Sequence, residues 1–97
     1  KEANAHVLLG NLYSNLKQYD NAIKCYKEAL TINKLDPSIY VLIANIYYMN
    51  NEIEKSIQTY RAAVNMRPEN DEYKLVFIQV LEDYIEEQRK DDKIAAF

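Results

Sequence analysis

The sequence predicts an all-α protein, an α-solenoid of antiparallel helix pairs with about five helices. Three observations carry that prediction. The stretch from His6 to Ala29 returns 34 residues later, from Tyr40 to Ala63, with no insertion: Gly10 becomes Ala44, Tyr13 becomes Tyr47, Tyr26 becomes Tyr60 and Ala29 becomes Ala63. A constant period of that length marks one supersecondary unit stacked on a copy of itself. Apolar residues recur at helical spacing throughout, and one Gly with two Pro in 97 residues leaves little to interrupt long helices. A chain of this length holds one small domain, read as residues 1–97.

Each element follows from its pattern. From about Asn4 to Leu16, Ala5, Leu8, Leu9, Leu12, Tyr13 and Leu16 mark a broad apolar helix face. A turn near Asn15 to Tyr19 follows, with Asp20 expected to cap the next helix. That helix, about Asp20 to Asn33, presents Ala22, Ile23, Tyr26, Ala29 and Leu30 on one side. The small residues Ala22 and Ala29 suit a close helix–helix approach. Asp36-Pro37 supplies an N-cap and a first-turn proline for the third helix. The second unit repeats the design to about Met66, with Ser56 where Ala22 stood. After Pro68, the acidic run Glu69 to Glu72 suits a helix N-terminus. Phe77, Ile78 and Leu81 then begin like a third unit, but no turn follows Ile85. The expectation is a long capping helix over residues 71–90 with Glu82, Asp83, Glu86, Glu87, Arg89 and Lys90 on its outer face, followed by a tail at 91–97 that either frays or docks back through Ile94 and Phe97.

The run His6-x-x-Leu9-Gly10-x-x-Tyr13, then Ala22-x-x-x-Tyr26 and Ala29, resembles the tetratricopeptide repeat. The resemblance covers nearly the whole chain, as repeat 1 (3–36), repeat 2 (37–70) and the cap. It implies a right-handed superhelix. Family members usually end the first helix on a left-handed Gly, where this chain has Lys17 and Asn51. Asn tolerates that conformation, and Lys does so at a cost of roughly 1 kcal/mol. The family's closing proline is present as Pro68 but replaced in the first unit by Lys34.

Composition excludes several function classes. The net charge of −3 and pI near 5.1 lack the basic footprint of a nucleic-acid or anionic-membrane binder. Cys25 is the single cysteine, so no internal disulfide is possible. No run is apolar enough to span a bilayer and no signal peptide opens the chain. An intracellular, cytoplasmic setting is therefore expected. Since Lys rather than Met comes first and the repeat begins at once, the chain reads as a piece of a larger protein. Catalysis has no footing: His6 is the single histidine, Cys25 has no base in the pattern, and the carboxylates near Glu82 read as a solvated face. No catalytic residue, metal site or cofactor is expected, and the chain is not read as an enzyme.

In the family the first helix of each unit lines a concave side that grips a peptide or a helix. Carried onto this chain, the resemblance implies a groove lined by Val7, Leu8 and Asn11, by Val41, Leu42, Asn45, Tyr48 and Met49, and by Leu75 and Gln79. The period itself aligns Val7, Val41 and Leu75 as one aliphatic row and Asn11, Asn45 and Gln79 as a row of carboxamides. A carboxamide both donates and accepts, so it can bond a peptide backbone without selecting a side chain. The alternative is that these amides are solvated and the aliphatics pack within the stack. Members that clamp the C-terminal carboxylate of heat-shock chaperones use Lys, Asn and Arg residues. Here only Asn11 fits, while Val7, Leu42, Glu72 and Val76 hold the other places, which disfavours that partner. The expected function is a protein–protein interaction module within a larger scaffold, binding an apolar and partly basic peptide or helix. The alternative is an architectural, self-associating segment of an assembly.

Overall fold

The computed structural model describes the backbone of residues 2–95 and the side chains of residues 2–90. Five helices follow one another: α1 (Glu2–Asn15), α2 (Tyr19–Ile32), α3 (Pro37–Met49), α4 (Ile53–Met66) and α5 (Asp71–Ala95). Each packs on its successor, α1 on α2, α2 on α3, α3 on α4 and α4 on α5, so the chain builds a stack of two hairpins closed by α5. No strand occurs among the described residues.

The two hairpin turns are the same motif, built on a residue with positive φ. Lys17 has φ 60° and Asn51 has φ 63°, the left-handed conformation expected at both places. After α1, the Lys17 N–H donates to the Ser14 carbonyl at 2.9 Å and the Gln18 N–H to the Tyr13 carbonyl at 2.9 Å. After α3, Asn51 donates to Tyr48 at 3.1 Å and Glu52 to Tyr47 at 2.8 Å. This double closure satisfies carbonyls that the helix end would otherwise leave unpaired. It also returns the chain to helix sooner than expected. Because Gln18 closes the turn, α2 starts at Tyr19 with Gln18 in the cap position and no side-chain cap bond. Asp20 is thus not the cap. It lies in the first turn, where its charge faces the positive helix end.

The starts of α3 and α5 are capped from the side chain, whereas α4, like α2, has no side-chain cap bond. Asp36 accepts from the Ser38 N–H at 3.0 Å and from the Ser38 hydroxyl at 2.6 Å, with Pro37 in the first turn of α3. Asn70 accepts from the Tyr73 N–H at 3.0 Å at the start of α5. The acidic Asp71 and Glu72 then fill the first turn, as anticipated.

Small residues set the helix spacing. Ala22, Ala29, Ala44 and Ala63 are fully buried, so backbones approach closely at each. At Gly10 the constraint is tighter still: an added Cβ would stand 2.5 Å from Cε1 of Tyr26. The buried Ser56 stands where the first unit has Ala22, and its hydroxyl donates to the Ala44 carbonyl at 2.9 Å. Two clusters form the core. Ala22, Ile23, Tyr26 and Ala29 of α2 meet Ile39, Ile43 and Ile46 of α3 in the first. Ala44, Tyr60 and Val80 centre the second, with Ile53, Ile57 and Phe77 against it.

The broad apolar face expected on α1 is not a core face. Ala3 and Gly10 are buried and Val7 and Tyr13 pack against the first cluster, whereas Ala5, Leu8, Leu9, Leu12 and Leu16 are exposed. Helical periodicity identifies an apolar side, but α2 can cover only one flank of it. Similarly, α5 is not polar all round its outer side, for Ile78 and Ile85 are exposed. With 25 residues α5 is about 37 Å long at 1.5 Å per residue, against about 20 Å for the helices it caps. Its C-terminal half therefore projects beyond the stack, and residues 85–90 are exposed. The helix continues through Ala95; the alternative docking of Ile94 and Phe97 falls outside the described side chains.

Candidate functional site

The expected groove residues all lie on the first helix of each unit and on α5, and the structure divides them into three kinds. Val7 and Leu42 are half-buried against the first core cluster, and Val41 against the second. These three form a floor rather than free pockets. Leu8, Tyr48, Met49 and Leu75 are exposed, Leu8 and Leu75 by 64% and 65%. Val76 beside Leu75 is exposed as well. Five large apolar side chains thus reach solvent from α1, α3 and α5, the apolar wall that a partner side chain could cover.

The carboxamides are the third kind, and their oxygens are engaged. Tyr26 on α2 donates its hydroxyl to Oδ1 of Asn11 at 2.5 Å. Tyr60 on α4 makes the same bond to Oδ1 of Asn45. Each pair ties the second helix of a unit to its first. The spacing is identical, 15 residues in both units, so the repeat itself signals the pairing. Each asparagine keeps its amide NH2 as a donor. Gln79 differs: its amide donates to Oδ1 of Asp83 at 3.2 Å, one turn along α5.

Burial shapes the ionisation of this set. Desolvation, with a smaller contribution from Tyr48, pushes the Tyr60 phenol up to about 12. Burial, then neighbouring Cys25, raises Tyr26 as well. Both phenols thus stay protonated and able to donate near neutrality.

Tyr48 lies about 100° round α3 from Tyr47, which packs against the first core cluster. The Tyr48 hydroxyl crosses to α5 and donates to Oδ2 of Asp83 at 2.5 Å. That bond, ahead of burial, raises the Tyr48 phenol. Asp83 therefore collects donors from Tyr48 and Gln79 and ties α3 to α5. Beside it opens a cleft of about 920 Å³, between the α3–α4 turn and the projecting half of α5. Tyr48, Ile53 and Tyr84 give it aromatic and aliphatic surface. Glu52, Glu54, Asp83, Glu86 and Glu87 line it with five carboxylates against Lys55 and Lys90. Both lysines are paired, Lys55 with Glu52 at 3.0 Å and Lys90 with Glu87 at 3.9 Å. The cleft's charge is thus negative. Sequence reasoning placed Glu86 and Glu87 on a solvated face and missed the cleft, which exists because α5 outruns the hairpin beneath it.

Groups considered for chemistry are otherwise occupied. His6 faces Glu28 across the first hairpin, Nδ1 to Oε2 at 3.2 Å. Cys25 is buried, and that burial, with Glu28 next, raises its thiol, which keeps it a poor nucleophile. Among the described residues no cluster of three or more His, Cys, Asp or Glu could hold a metal ion. Among them, too, no helix is long and apolar enough to cross a membrane.

Comparison with known proteins bears on the architecture. Residues 3–34 and residues 37–70 each match a family model of the tetratricopeptide repeat. A mouse protein, BBSome complex member BBS4, is 36% identical over 64 residues, covering 66% of this chain and 12% of its own length. The chain thus spans about an eighth of that relative. Among solved structures, yeast Tom70 superposes with a TM-score of 0.75 at 28% identity, covering 82% of this chain and 16% of that one. The TPR domain of Arabidopsis OM64 gives a TM-score of 0.76 over 88% of this chain and 70% of that one; at 19% identity it speaks for the fold alone.

Proposed function

The chain belongs to the tetratricopeptide repeat family, a protein-interaction fold, and from that premise we propose that it binds an apolar, partly basic peptide or helix. The binding surface is the concave face formed by α1, α3 and α5, and the module serves a larger scaffold. The observation that carries this reading is the apolar wall of Leu8, Tyr48, Met49, Leu75 and Val76, exposed on three helices over a half-buried floor of Val7, Val41 and Leu42. Apolar partner side chains gain by covering such a wall, at about 25 cal/mol per Å² removed from water. The amide NH2 groups of Asn11 and Asn45, free of the tyrosine bonds, offer donors to a partner's backbone carbonyls. The negative cleft at one end favours a cationic side chain and repels an acidic terminus, which keeps chaperone C-terminal tails disfavoured.

A photo-crosslinking residue in place of Met49 tests the surface directly, with one in place of Arg61, exposed on α4, as the comparison. The proposal expects protein adducts from a source-cell lysate at position 49 and none of the same species at 61. Adducts from 61 alone would move the binding surface to the second helices.

A further inference from the structure

Asn11, Asn45 and Gln79 share one register position on α1, α3 and α5, yet they do not present the same group. Asn11 and Asn45 each meet a phenol. Tyr26 and Tyr60 are only 1% and 2% exposed, and each hydroxyl donates to Oδ1 of its asparagine from the second helix of the unit. Neither hydroxyl bonds another acceptor among the described residues. A carboxamide turned end for end would offer its NH2 to the phenol oxygen and leave the buried O–H proton without an acceptor, a costlier arrangement than the one present. Burial of the phenols thus chooses the orientation. The amide oxygen faces the second helix, and the NH2, which donates to no described residue, faces away from it.

Gln79 reverses this. The residue that follows it by the same 15 positions is Ile94, on the same unbroken α5, so the tyrosine that holds Asn11 and Asn45 has no counterpart in the register. The Gln79 NH2 instead donates to Oδ1 of Asp83 at 3.2 Å, and Asp83 accepts in turn from the Tyr48 hydroxyl. The group left to Gln79 is Oε1, an acceptor.

We propose that Tyr26 and Tyr60 are positioning residues for binding: they fix Asn11 and Asn45 as donors to carbonyl oxygens of a partner's backbone, and Gln79 ends the row as an acceptor for an N–H. The proposal rests on the concave binding surface described above and deepens it. A free carboxamide serves a carbonyl or an N–H alike by rotating, and so selects neither. Held by its oxygen, it can only donate. The row then distinguishes the polarity of a backbone laid across it, with carbonyls wanted at α1 and α3 and an N–H at α5. Each amide is ordered on folding, before a partner arrives, which is how preorganised contacts gain affinity. The phenols lie beneath the amides and act through them.

Two measurements test this. In the free protein, nitrogen-edited NOE spectra report the amide orientation. The NH2 protons of Asn11 and Asn45 are expected to show no strong contact with the ring protons of Tyr26 and Tyr60. Strong contacts in the wild type would set the NH2 against the phenols and overturn the proposal. Affinity for a short fluorescein-labelled peptide of leucine and lysine, read by anisotropy, then reports the positioning role. Tyr60→Phe keeps the ring and releases the amide, whereas Asn45→Ala removes the amide. Tyr60→Phe should weaken binding about threefold or more in the wild-type background and leave it unchanged in the Asn45→Ala background. Circular dichroism checks that all four proteins are folded at the temperature used. Equal weakening in both backgrounds would make Tyr60 a structural residue only and overturn the proposal, as would no weakening in either. A wild type that fails to bind the peptide while its NOE pattern is as expected would overturn the groove reading, and with it the use of the row, but not the orientation of the amides.

Discussion

Replacing Lys17 by glycine should stabilise the protein. Lys17 holds φ at 60° to close the α1–α2 turn, and its amide is committed to the Ser14 carbonyl. For a residue with a Cβ, this conformation places that atom against the following carbonyl at a cost of about 1–2 kcal/mol. Glycine removes the clash but brings extra unfolded-state freedom, which returns part of the gain. A net of about 1 kcal/mol is left. In a domain of this length that raises the melting temperature by about 4–8 °C. Two controls isolate the cause. Asn51→Gly, at φ 63° but starting from a residue that tolerates it, should gain less. Asn33→Gly, after α2 where φ is −127°, should gain nothing or lose stability. Thermal unfolding followed by circular dichroism reads all three. A Lys17→Gly protein that melts no higher than wild type, or an equal gain from Asn33→Gly, would refute the reasoning.

The remaining predictions concern packing and pH. Ala29→Leu adds bulk where no side-chain surface is exposed, and should cost about 1–3 kcal/mol in urea unfolding. Ser56→Ala removes a bond to the Ala44 carbonyl but recreates the residue of the first unit, so its loss should stay within about 1 kcal/mol. The Tyr60 phenol is raised from 10.0 to about 12 in the folded protein, so the folded state holds its proton more tightly than the unfolded chain does. That contribution is complete below pH 10.0 and is lost as pH climbs towards about 12. Stability measured across this window should therefore fall more steeply for wild type than for Tyr60→Phe, even though the variant is the weaker protein near neutrality.

Much of the fold was legible because the period repeats covalent detail. Tyr26 and Tyr60, Ala29 and Ala63, and the left-handed turns at Lys17 and Asn51 each appear twice at one offset. What failed was whatever depends on neighbours. The leucines of α1 have the same pattern as the buried isoleucines of α3, and nothing in a pattern says whether a helix lies opposite. Asp20 is a good capping residue, yet the backbone bonds of the turn decide where α2 begins. The bonds from Tyr26 and Tyr60 to the oxygens of Asn11 and Asn45 went unread, although the pairing is written in the common spacing of 15 residues. The cleft beside Asp83 follows from the length of α5 relative to the stack, a relation between elements that no local motif encodes.

The groove itself is best tested by affinity for short peptides in which apolar, basic and acidic positions are varied, read by fluorescence anisotropy. Wild type should prefer apolar–basic sequences over acidic ones. A Leu8→Glu/Leu75→Glu variant, altered at two exposed wall positions, should bind the preferred peptide about tenfold or more weakly with its melting temperature unchanged. Equal affinity for the folded variant and the wild type would contradict a binding surface on α1, α3 and α5.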